Sequence, residues 1–163
     1  MSNLANLNTD KISGDKIVVS DYLGCVYSHD KHKAVFLFIK LINSGGKDYL
    51  DLWYHRINFK ISHGDKIGII LENGYKMEYE VDSEPYADGD GMYRTSFQIY
   101  AADLQLLKES NIDKIIIENL KLNKISSYSI RATAQMELLK GETWETSSIP
   151  SSLVASHYFD LVG

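Results

Sequence analysis

The run Lys66 to Val81 constrains the fold of this chain more than any other stretch. Asn73-Gly74 sits at its centre, and Asn-Gly supplies the positive φ that a tight hairpin turn demands. On the return arm Met77, Tyr79 and Val81 alternate with Lys76, Glu78 and Glu80, the period-2 pattern of a strand with one buried and one exposed face. An antiparallel hairpin is therefore predicted here. The neighbouring residues belong to a wider pattern, because Asp-Lys-Ile recurs at Asp15, Asp65 and Asp113, each time after a polar turn and before a β-rich run. The sequences between these three copies do not resemble one another, so the echo reads as turn chemistry that suits any strand start, not as a repeat.

More strands follow from the same logic. Ala34 to Asn43 is apolar on both faces, with Val35, Leu37, Ile39 and Leu41 on one and Phe36, Phe38 and Ile42 on the other, as expected of a central, covered strand. Gly45-Gly46 then predicts a hairpin into Tyr49–His55, where Leu50, Leu52 and Tyr54 share one face and Tyr49, Asp51, Trp53 and His55 the other. Asp82 to Gly91 reads as a loop, and Met92 to Tyr100 as a strand. Ala101 to Glu109 reads as a helix with Leu104 and Leu107 on its apolar stripe. Beyond Leu120 a strand at Tyr128–Ala132 running into a helical turn over Ala134–Lys140 is expected. The result is an α+β chain, mainly β: an antiparallel β-sandwich or partly open barrel with one or two short helices. Residues 1–13 read as a flexible lead-in, 14–140 as a single β-rich domain, and 141–163 as a Ser/Thr-rich linker or mobile loop followed by an apolar segment packed on that domain.

At 163 residues the chain can bury a core without disulfides, and its one cysteine, Cys25, fits a reducing compartment. The N-terminal ten residues have neither a basic nor an apolar region of a secretory signal, so a cytoplasmic protein is expected, and no apolar run is long enough for a membrane span. The formal charge is −5, and the densest basic cluster is Lys31-His32-Lys33, so no nucleic-acid partner is expected.

The candidate sites are three. Asp82, Glu84, Asp88 and Asp90 lie within nine positions beside Gly89 and Gly91, as in a calcium-binding loop, but the twelfth position counted from Asp88 is Ile99, where an EF-hand requires an acid. His29 and His32, with Cys25 nearby, could serve zinc, yet no third ligand stands at diagnostic spacing. The strand face of Tyr49, Asp51, Trp53 and His55 offers aromatic area of the kind enriched at interfaces. No nucleophile elbow, phosphate loop or metalloprotease motif is present, and no cofactor is implied. The expectation is a non-catalytic interaction protein of the adaptor or immunity type that binds another protein or itself. The alternatives are a carbohydrate- or small-ligand-binding module using Tyr49, Trp53 and His55, and a metal-dependent enzyme using the acidic loop or the His29/His32 turn.

Overall fold

The computed structural model describes residues 5–9, 16–30, 33–56, 59–138 and 144–162. The chain is α+β and mainly β, built from two antiparallel sheets that share one core. The large sheet takes β1 (Ala5–Thr9), β2 (Lys16–Ser20), β3 (Gly24–Asp30), β4 (Lys33–Ser44) and β5 (Lys47–His55). It also takes β8 (Tyr86–Ala87), β9 (Met92–Gln98), β12 (Arg131–Leu138) and β13 (Trp144–Ile149). Its main order is β13-β12-β3-β4-β5-β9-β8, and β2 pairs with the far half of β4 and with β1. The small sheet has β6 (Lys66–Leu71), β7 (Lys76–Glu80), β10 (Ile112–Asn119) and β11 (Lys124–Ser129), in the order β11-β10-β6-β7.

The hairpins form where turn chemistry places them. Gly45 and Gly46 both take positive φ, 61° and 78°, between β4 and β5, and Gly74 takes 89° between β6 and β7. The alternation then sorts the side chains. Leu50, Leu52 and Tyr54 are wholly buried on β5, as are Leu37, Ile39 and Leu41 on β4. They meet Ile67, Ile69, Met77, Tyr79, Ile115 and Ile117 from the small sheet in a single cluster. Within it the Tyr54 hydroxyl and Thr95 Oγ1 share a hydrogen bond of 2.7 Å, which satisfies both polar groups in the apolar interior.

The Asp-Lys-Ile copies launch strands but their aspartates do unlike work. Asp65 is buried and accepts hydrogen bonds from the backbone amides of Ser62 and Leu120 and from the Asn119 amide, so it ties the start of β6 to the end of β10. Asp113 is half-buried inside β10, and Asp15 lies outside the described residues.

Helix α1 (Ala101–Glu109) occupies the predicted span and buries Leu104 and Leu107. Asp103 in its first turn, where the helix dipole favours an acid, accepts hydrogen bonds from the hydroxyls of Tyr75 and Tyr79. Tyr79 is pushed up in pKa, by burial first and then by this bond.

The C-terminal third departs from expectation. In place of a helical turn over 134–140, β12 stays extended to Leu138 and pairs with β13, which lies in the stretch expected as a linker; residues 139–143 lie outside the described ones. Alanine and leucine are good helix formers, but intrinsic propensity is a small term that cross-strand pairing overrides. The second helix is α2 (Ser151–Val162), with Ser151, Val154, Ala155 and Tyr158 buried at helical spacing. Its first turn is fixed from β10: Asn111 Oδ1 accepts from the Ser152 amide, and Ser151 Oγ accepts from the Ile112 amide. Tyr158 donates to Asp48 Oδ1 at the β4–β5 hairpin. α2 packs on α1, β1 and β2, so the stretch expected as a lead-in contributes a strand. Among the described residues no helix is long and apolar enough to cross a membrane.

Candidate functional site

The outer face of the large sheet, turned away from the core, carries a second organised cluster. Register builds it. Cys25 on β3 stands opposite Phe38 on β4, Phe38 opposite Trp53 on β5, Trp53 opposite Arg94 on β9, and Arg94 opposite Tyr86 on β8. One row of side chains thus crosses five strands. A second row beside it runs Lys40, Asp51, Ser96 across β4, β5 and β9. Outer faces of antiparallel sheets are ordinarily polar and solvated, so a row of Cys, Phe and Trp there is a departure.

Its aromatic end is packed. Phe38 and Trp53 have ring centroids 5.5 Å apart, and Tyr22 closes over Phe38 at 4.9 Å. Phe38 and Cys25 are buried, and Trp53 is half-buried. Among the described residues the buried Trp53 Nε1–H has no acceptor in hydrogen-bond geometry. After the Arg94 hydrogen bond, the indole also helps to favour the charged form of Asp88.

The polar end is a hydrogen-bonded ion-pair network. Arg94 Nη1 donates to Asp51 Oδ2 at 2.9 Å and Nε donates to Asp88 Oδ2 at 2.7 Å. Ser96 Oγ donates to Asp51 Oδ1 at 2.6 Å. Both carboxylate oxygens of Asp51 are therefore engaged, and its side chain is 0 % exposed. Burial opposes the Arg94 charge, but Asp88 and Asp51 outweigh it and raise its pKa. The hydrogen bond from Arg94 holds the Asp88 carboxyl below the usual aspartate range. Burial, joined by the Arg94 charge, lowers Lys40, and burial raises Tyr22 and Tyr86.

Of the four residues read from the β5 alternation, all share this outer face, but they do not form one open surface. Asp51 is sealed beneath Arg94 and Ser96. Tyr49 lies toward the other end of the strand, opposite Gln98, and is half-buried. His55 packs under Gly91, where an added Cβ would come within 3.0 Å of Nε2 and where φ is +78°. Trp53 alone joins the aromatic row. Sequence reasoning missed Arg94, Tyr86, Phe38 and Lys40 as its companions. The available signal was one arginine in β9 at the parity that faces away from the core, beside a strand with a mid-run aspartate.

The acidic loop does not gather into a ligand set. Asp82, Glu84, Asp88 and Asp90 are exposed, Glu84 accepts from the His63 amide, and Asp88 is spent on Arg94. Among the described residues no three His, Cys, Asp or Glu side chains cluster as metal ligands would. His29 lies on β3, while His32 lies outside the described residues. Comparison with protein-family models, with curated proteins and with solved structures found no match.

Proposed function

We propose that this chain is a non-catalytic binding module for another protein, and that a basic partner docks on the outer face of the large sheet around Trp53. The row Cys25, Phe38, Trp53, Arg94, Tyr86 carries this reading. Trp, Tyr and Arg dominate interface energetics because they combine large rigid area with directed polar groups. Here they stand side by side, with Tyr86 55 % exposed at the open end. The exposed acids Asp82, Glu84 and Asp90 flank that end on the same loop, which suits a basic partner and speeds its encounter.

Chemistry and small-ligand binding are less well supported. Asp51 is wholly buried beneath Arg94 and Ser96, which closes it to a substrate or sugar. Trp53 is half-buried and tilted by 35° against Phe38, so part of its ring is already taken up in packing.

The test compares the unaltered chain with Trp53→Ala and Tyr86→Ala in affinity capture, with thermal melts alongside. The expected result is a captured basic protein that both variants lose and that raised salt weakens, while both variants remain folded. Capture that neither variant affects overturns the reading. A dimer in sedimentation that Trp53→Ala dissolves assigns the face to a second copy instead.

A further inference from the structure

The small sheet has two edges, and they are treated differently. β7 presents Lys76, Glu78 and Glu80 outward, and Lys66 and Lys76 pair with Glu78 at 3.9 and 3.4 Å. Charges of this kind blunt an edge against pairing with another chain. β11 is less defended, with Lys124 at its start as its one charge. Its sequence is Lys-Ile-Ser-Ser-Tyr-Ser, without proline or acid, and among the described residues it pairs with β10 alone. Ile125 on it is 69 % exposed, and Leu122 and Leu120 in the preceding turn are 58 % and 52 % exposed.

Beside this edge lies a groove of about 210 Å³. Lys124, Ser126 and Tyr128 of β11 and Ile117 of β10 face it from one side of the sheet, and Phe59 and Lys60 close the other wall. Phe59 and Tyr128 meet edge to face at 5.1 Å, which fixes an aromatic wall. By volume the groove has room for one bulky side chain, which would meet Phe59 and Tyr128 on its aromatic wall. Among the described residues its lining includes two lysines and no acid, in a chain whose net charge is −5.

We propose that β11 is a strand-addition site for an extended, acidic segment of a partner protein. The added strand pairs with the open side of β11, main chain to main chain. A bulky apolar side chain enters the groove between Phe59 and Tyr128, and acidic neighbours meet Lys60 and Lys124. The site lies on the other sheet from the Trp53 row, so it is independent of the function proposed above.

The probe is a fluorescent heptapeptide of alternating valine and threonine with a central phenylalanine and a glutamate at each end. Its twin has lysine at each end. Anisotropy is expected to show the glutamate peptide binding about tenfold more tightly than the lysine peptide. In the double variant Lys60→Glu/Lys124→Glu the order of the two peptides reverses, a result that misfolding cannot mimic. Amide exchange of residues 124–129 slows on binding, because the added strand covers their backbone. Equal binding of the two peptides, an order that the double variant leaves unchanged, or binding without slowed exchange in β11 overturns the proposal. A dimer that Ile125→Lys dissolves would assign the edge to a second copy and overturn it too.

Discussion

Asp51 and Arg94 meet diagonally across β5 and β9, 2.9 Å apart, with the carboxylate out of contact with water and the guanidinium still partly in it. Among the described residues the aspartate has a Ser96 hydroxyl as its other partner and no second cation hydrogen-bonded to it. Removing the arginine therefore strands a buried charge. Arg94→Met is expected to cost about 3 kcal/mol in urea unfolding, and Asp51→Leu added to it is expected to restore most of that, since an apolar pair avoids the desolvation. A loss below about 1 kcal/mol in the single variant would show that water reaches Asp51.

Asp88 reports the same arginine from the exposed side. Its carboxyl titrates below the ordinary aspartate value because Arg94 donates to it. A depressed folded pKa means that the stabilisation is present above the unfolded value and is lost as pH falls through the folded one. Carbon NMR of the Asp88 carboxyl is expected to show this low midpoint, and Arg94→Met is expected to return it to the ordinary range. An unchanged midpoint in the variant would separate the two groups.

Tyr54 makes the opposite prediction at alkaline pH. Burial pushes its hydroxyl up to about 12. A raised folded pKa gives stability that is whole below the unfolded value near 10 and is lost as pH rises toward 12. Tyr54→Phe is expected to lower stability at neutral pH by about 1–2 kcal/mol, through the lost bond to Thr95. Between about pH 10 and 12 its stability declines less steeply than that of the parent, by up to one proton's slope. Parallel declines in a pH series of denaturant melts would contradict the assignment.

Trp53 separates packing from docking. It is half-buried and belongs to the small outer cluster, not to the main core. Trp53→Ala is thus expected to cost about 2 kcal/mol of stability, below the 3–5 kcal/mol of a core tryptophan. Trp53→Phe is expected to cost less than about 1 kcal/mol, because it keeps an aromatic ring against Phe38. Thermal melts of the two variants check the order, and a cost for Trp53→Ala above about 4 kcal/mol would place the residue in the core.

The parts of this fold that sequence makes legible are those held by local chemistry. Gly45-Gly46 and Asn73-Gly74 each set a turn by their own φ preferences, and the β7 alternation sorts itself without reference to the rest of the chain. β12 and β13 are different: they mix helix-favouring and strand-favouring residues, and pairing decides what propensity leaves open. α2 did carry a signal, the spacing of Val154, Ala155, Tyr158 and Val162, masked by the Ser/Thr-rich stretch before it. The candidate site was legible only as far as one strand goes. Alternation put Trp53 and Asp51 on the outer face, but Arg94 lies 43 positions from Asp51, and only the β5–β9 register brings them together.

The packing of α2 on β1 and β2 also sets the order in which the domain can be finished during synthesis. Val154, Ala155 and Tyr158 are wholly buried, so the β1–β2 end of the core stays uncovered until they leave the ribosome. Every strand is made before its lid. The nascent large sheet then waits with apolar surface open to other chains, a stage at which strand proteins are prone to aggregate. A pause or truncation upstream of Ser151 would leave a product that holds most of its hairpins but cannot close.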